Sequence, residues 1–184
     1  MGSVHRATNQ EGPSPRGRGA RGGTLVEAAF SFPLLVALVL GIFDFGSALS
    51  DSIAVRTGAA SSARVVAVGP WPAKACTLSA PDAGLTVDDM SILCMLKDRS
   101  DLSPARVRGR IVLAAGGYVE GQPIAVCSMT QLTSLTRLYA RLIDDKAITT
   151  RSVVRIDAVK ADGSLTTGGE GAFPGQDWAF CAAP

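Results

Sequence analysis

Hydrophobic and polar positions divide this chain into three stretches of different texture. Residues Met1 to Arg21 are rich in Gly, Pro, Ser and Arg and show no apolar periodicity, so they are expected to be a disordered basic leader. The texture then inverts. From Ala28 to Phe43 the chain is uncharged and almost wholly apolar, and Glu27 is the only charged residue between Thr24 and Phe43. A helix over that span would be about 30 Å long at 1.5 Å per residue, the thickness of a hydrocarbon core. Past Phe43, Leu49, Ile53, Ala60, Ala63 and Ala67 recur at helical spacing, with Asp51, Arg56 and Arg64 among them. Ala, Ser and Gly dominate residues 54–67, which lets a neighbouring backbone approach closely. Gly69-Pro70 stops the pattern. One helix from Thr24 to Val68 is therefore predicted, with a break near Gly46 or Gly58 as the open alternative.

The third stretch, Trp71 to Pro184, changes period repeatedly. Asp88 to Leu96 predicts a short helix with acids in its first turn. Arg106, Arg108 and Arg110 alternate with Val107, Gly109 and Ile111, which predicts a strand whose arginines form a solvated face or a charge-protected edge, with a partner-binding face as the alternative. Gly116-Gly117 signals a hairpin into a strand from Tyr118 to Met129. Leu132, Leu135, Leu138, Tyr139 and Leu142 predict a helix with one apolar side, and Ile148 to Lys160 a third strand. A Gly-rich tail leads to Trp178 and Cys181. The expected class is α+β: a long N-terminal transmembrane and stalk helix followed by a small disulfide-bonded antiparallel α+β exported domain. The expected boundaries are 1–22 for the leader, 23–69 for the helix and 70–184 for the domain.

Composition narrows the chemistry. The sole histidine is His5, so Ser-His and Cys-His catalysis and histidine-ligated zinc are not expected after the leader, and no enzyme activity is expected. Net charge is only +2. The Arg-Gly tract Arg16 to Gly23 is short and lacks interleaved aromatics, so it is taken as a positive-inside signal and not as a nucleic-acid site. That places the amino terminus in the cytoplasm. A cleaved secretory signal fits less well, because the apolar run is long and Ser47-Ala48-Leu49-Ser50 is a poor cleavage site. Asp144-Asp145 and the pair Asp157 and Asp162 lack calcium-loop spacing, so they are taken as surface acids and no metal is expected. Cys76, Cys94, Cys127 and Cys181 all follow the apolar run, on the oxidising side, and contain no C-x-x-C pair; two disulfides are expected, and three pairings remain open.

Glu27 is the informative residue of the apolar span. A carboxylate deep in a bilayer costs roughly 2.5–3.5 kcal/mol, so it normally has a partner. If the chain were cut between Gly22 and Gly23, the new α-amine would lie within a helical turn of Glu27. This glycine junction, with glutamate at the fifth position after the cut, resembles the processing site of type IV prepilins. The longer string Arg21-Gly22-Gly23-Thr24-Leu25-Val26-Glu27-Ala28-Ala29, then Pro33, then Gly41-Ile42-Phe43-Asp44-Phe45-Gly46, is similar to the TadE-like minor pseudopilins of tight-adherence (Flp) pilus machines.

The resemblance extends more loosely to residue 160, through Pro123 to Val126 and Arg155, but its specificity lies in residues 21–46. It implies a structural subunit, cut after Gly22 by a prepilin peptidase. Glu27 would pair with an α-amine in an assembly, and Pro33 would permit a helix kink. Its partners would be the membrane, the peptidase and other pilins and pseudopilins, with no cofactor, nucleic acid or small-molecule substrate. Its place would be the inner membrane, single-pass with the domain exported, and the pilus after assembly. The competing expectation is an unprocessed, membrane-anchored binding or sensor domain.

Overall fold

In the computed structural model, residues 20–144 and 146–184 are described, with side chains from Gly23 onward. The elements are α1 (Ala20–Val68), α2 (Val87–Arg99), β1 (Val107–Leu113), β2 (Pro123–Gln131), α3 (Ala140–Ile143), β3 (Ala147–Arg155) and β4 (Gly168–Gly169). Helix α1 is unbroken through Gly46 and Gly58, with Pro33 in its interior. The chain divides into two compact units, one ending at Val39 and the other running from Leu40 to Pro184. The second unit thus takes in the outer part of α1 together with the sheet and the tail.

In the second unit, an antiparallel sheet of order β3-β2-β1-β4 is sandwiched between helix and tail. Ile111 and Leu113 of β1 and Ile124 of β2 face a core with Ile92, Leu93 and Met95 of α2, Val66 of α1, Trp71, Ile156 and Leu165. The other sheet face, with Val112, Ala125 and Cys127, is covered by Cys181, Trp178 and Phe180. The period-two pattern of β1 demands this division, since Ile111 and Val112 point to opposite faces.

On α1, Val55, Ala59, Ala63 and Val66 are fully buried, one helical stripe. Gly58 allows the crossing with α2: a Cβ there would lie 3.1 Å from the Leu96 carbonyl and the Ser100 Cα. The carbonyl of Ala67 near the end of α1 accepts from the amides of Asp157 and Ala158, at 2.8 and 3.1 Å, so the helix terminus is satisfied inside the domain. Helix α2 opens with a capping box. The Thr86 hydroxyl accepts from the Asp89 amide at 3.0 Å, and the Asp89 carboxylate accepts from the Thr86 amide at 2.8 Å.

A buried ion pair joins the pieces. Lys97 of α2 and Glu170, just after β4, are 2% and 0% exposed and 2.7 Å apart. Lys97 also donates to the carbonyls of Thr77 and Pro104, while Glu170 accepts from the amides of Ser79 and Gly109. Every charge is therefore answered, the condition under which such a pair is tolerated in a core. Disulfides Cys76–Cys94 and Cys127–Cys181 tie the segment before α2 and the C-terminal tail to the body. They close loops of 18 and 54 residues, for which the chain-entropy model gives about 3 and 4 kcal/mol.

Three local expectations are corrected. The arginines of β1 are not a solvated face, because β4 pairs outside β1 and makes it an inner strand. Arg108 donates to the carbonyls of Gly171 and Ala172 and lies 4.3 Å over the Phe173 ring, and Arg110 pairs with Asp82 at 3.4 Å. Arg108 thus holds the tail down, and Arg110 ties β1 to the segment before α2. The expected helix around Leu132 to Leu142 is reduced to α3, since β2 continues to Gln131 and a turn follows with Arg137 at φ 61°. The flanking strands are shifted or shorter than expected: β2 begins at Pro123, not Tyr118, and β3 ends at Arg155, not Lys160.

Candidate functional site

Among the described residues, the amino-terminal unit is the first part of α1, and most of its side chains are exposed. The basic leader up to residue 19 lies outside the described residues, as does Asp145; from Ala20 the backbone is helical. Gly22 and Gly23 therefore fall in the opening turns of α1, Glu27 is exposed on the same helix, and Pro33 lies further along it. Phe30 is 78% exposed, and Leu25, Leu34 and Leu38 are comparably open. A helix apolar on every side and exposed on every side has lipid or other helices as its natural surroundings. By length and composition it is the single described helix long and apolar enough to cross a membrane once.

Where the apolar run ends, the structure builds a clamp that the residue pattern did not announce. Asp44, directly after Phe43, is only 1% exposed. One carboxylate oxygen accepts from the amides of Leu135 and Thr136, at 2.9 and 3.0 Å; the other accepts from the hydroxyls of Ser134 and Thr136, both at 2.7 Å. This set of donors is what a carboxylate at the edge of an apolar region requires, because an unanswered charge there is strongly disfavoured.

The neighbouring motif residues complete the joint. A Cβ on Gly41 would meet the Tyr139 ring at 3.1–3.3 Å, and Phe45 tilts against the same ring with centroids 6.0 Å apart. The G-I-x-D-x-G string thus has a structural meaning in two of its positions: Gly41 makes room for Tyr139, and Asp44 captures the loop before it. Gly46 has open space around it.

Further along α1, Asp51 and Arg106 form an ion pair, and Arg106 also donates to the Gln131 carbonyl. A groove of about 540 Å³ between the end of α1 and β3 is lined by Arg64, Val65, Val68, Arg99, Val154 and Arg155. Asp88 at the start of α2 gathers the loop after β3, accepting from Trp71 Nε1, Lys160 Nζ and the Ser164 amide. Burial works to raise its pKa, yet those hydrogen bonds, Lys160 first, together hold the carboxyl below its ordinary value. Among the described residues no group of His, Cys, Asp and Glu is arranged to hold a metal. All four cysteines are in the two disulfides.

The family model described as TadE-like protein matches residues 22–64. The match begins at the glycine junction, contains Glu27, Pro33 and the Asp44 motif, and ends inside α1; α2, the sheet and both disulfides lie outside it. Comparison with curated proteins and with solved structures returns no match.

Proposed function

We propose that this chain, TadE-like over residues 22–64, is a minor pseudopilin: a non-enzymatic structural subunit that helps initiate or tip a tight-adherence pilus. The observation that carries this reading is the amino-terminal unit itself. A helix exposed along its length, with Glu27 as its only charge between Thr24 and Phe43 and Gly22-Gly23 in its opening turns, has surroundings to find outside its own chain. A prepilin peptidase cuts after Gly22, and the helix then leaves the inner membrane to join other pilins. The two glycines suit that cut for two reasons. They let an enzyme approach the backbone, and each lowers the helix-forming tendency of the opening turn by about 1 kcal/mol relative to Ala. Glu27 then answers an α-amine in the low-dielectric bundle. In this reading the leader is cytoplasmic and the disulfide-bonded domain is exported, which agrees with disulfides forming in oxidising compartments.

The test follows the two steps separately. Intact-mass measurement on membranes co-expressing the peptidase should show a mature chain beginning at Gly23, and a bulky residue at position 22 should abolish the cut. Glu27→Gln should be inserted and cut normally, yet fail to co-purify with other pilins, since leaving one member of a buried pair unanswered costs about 3–5 kcal/mol. An uncut chain, or one cut elsewhere, removes the pseudopilin reading in favour of an unprocessed anchored binding domain. The arginine-lined groove beside β3 would then be the first place to seek a ligand.

A further inference from the structure

We infer that the segment from Leu135 to Leu142 is a membrane-interface collar, held by Asp44 at the level where the helix leaves the bilayer. The inference rests on the anchoring of the chain by its apolar helix. It adds a second lipid contact, made by the exported domain, in a region beyond the TadE-like match.

The argument begins with height. The apolar run ends at Phe43, and the loop's backbone is bonded directly to the next residue, Asp44, at 2.9 and 3.0 Å. Gly41 and Phe45 meet Tyr139 across the same joint. Residues 41–45 occupy about 6 Å of helix axis, and the headgroup zone on one side of a bilayer is about 5–7 Å deep. A segment fastened at this level therefore sits in that zone, whichever way it turns around the helix.

The second strand of the argument is composition. Leu135, Leu138 and Leu142 are 69%, 54% and 66% exposed, although a helix with these leucines packed inward is what their spacing predicts. Three such side chains within eight residues form an apolar patch that a water-facing surface seldom carries. Exposed Arg137, Arg141 and Lys146 are interspersed with them. Leucines flanked by basic side chains suit the boundary between acyl chains and acidic headgroups. The patch is also continuous with the exposed Ile42, Phe43 and Phe45 of the helix. One occupant, the lipid already required by the run below, accounts for both surfaces. It also explains why Asp44 is enclosed: a carboxylate at this height is shielded from lipid by the loop that answers it.

The experiment places a single added cysteine in the full-length chain, with the four native cysteines protected in their disulfides. Leu138→Cys carries a fluorophore, and the protein is reconstituted in vesicles of phosphatidylcholine and phosphatidylglycerol containing a nitroxide-labelled lipid. Phe30→Cys reports the anchor. Val119→Cys reports the far side of the domain, because the neighbouring Tyr118 hydroxyl reaches the Val66 carbonyl, about 30 Å up the helix from Asp44.

We expect the lipid to quench the label at Leu138 severalfold more strongly than at Val119. Adding Asp44→Asn should bring that quenching down toward the Val119 level. Replacing phosphatidylglycerol by phosphatidylcholine alone should weaken it if Arg137 and Arg141 meet headgroups. Quenching at Phe30 without quenching at Leu138 overturns the collar while leaving the anchor intact, and would give the patch to a protein partner. Loss of quenching at Phe30 itself overturns the anchoring on which both readings stand. Unchanged quenching at Leu138 in Asp44→Asn overturns the role given to the clamp.

Discussion

Leu35 and Leu93 are the same residue in opposite circumstances. Leu35 is 59% exposed on a helix whose every face is apolar, whereas Leu93 is fully buried between α2, β1 and β2. The domain builds a core from its own apolar side chains and closes it with a buried ion pair and two disulfides. The described part of the amino-terminal unit leaves its large apolar side chains exposed. The two regions therefore differ in where their stabilising contacts come from, far more than in apolar content. Substitutions in the domain should register in the isolated protein, while those in the helix should register only in a membrane or an assembly.

The largest effect should come from breaking the buried pair. Lys97→Met leaves Glu170 charged and enclosed, with only the Ser79 and Gly109 amides to answer it. We expect a loss of about 3–5 kcal/mol, seen as a lower denaturation midpoint by tryptophan emission. Both tryptophans, Trp71 and Trp178, lie in the domain. Replacing both partners by apolar residues should recover much of that loss; equal damage from the single and the double change would mean that the pair stabilises the fold directly.

A smaller effect should appear on acidification. The pKa of Asp88 is lowered in the folded state, so its contribution is fully present above the unfolded value of about 3.9 and is lost as pH falls through the lowered folded value. Asp88→Asn should cost about 1.5–3 kcal/mol near neutrality, as charge-assisted bonds do. It should also flatten the fall in stability below about pH 4 relative to the parent chain. An identical acid limb in both proteins would show that other carboxylates govern it.

The same contrast explains what the sequence alone could convey. Membrane insertion acts on length and composition, and the glycine junction, Glu27, Pro33 and the Gly41 to Gly46 string are contiguous, so the anchor and its family likeness were legible. Helix α2 was legible for a similar reason, because Asp88 and Asp89 signal its first turn locally. The Asp44 clamp was not, since its donors lie 90 to 92 residues away. Strand β4 was hidden because it is two glycines with no strand propensity. A Cβ on Gly169 would fall 2.6 Å from the Arg110 Cα, so close pairing demands the residue that signals a loop. Missing β4 made β1 look like an edge, and the arginines on it then looked solvated. The leucines from 132 to 142 misled for a related reason: the loop's amides and hydroxyls donate instead to a distant carboxylate, Asp44.

The smallest effect is also the sharpest discriminator. Leu93→Ala should cost about 2–5 kcal/mol, the usual range for a buried leucine, because it opens a cavity that α2 and the sheet cannot close. Leu35→Ala removes the same atoms, but from a side chain with no core around it. Its effect on the tryptophan-reported midpoint in detergent should stay within about 0.5 kcal/mol. Leu35→Asp should leave that midpoint alone as well, while adding roughly 2.5–3.5 kcal/mol to the cost of insertion and depleting the protein from the membrane fraction. If Leu35→Ala instead lowered the midpoint as far as Leu93→Ala, the apolar helix would have a partner within its own chain, and the division between the two regions would fail.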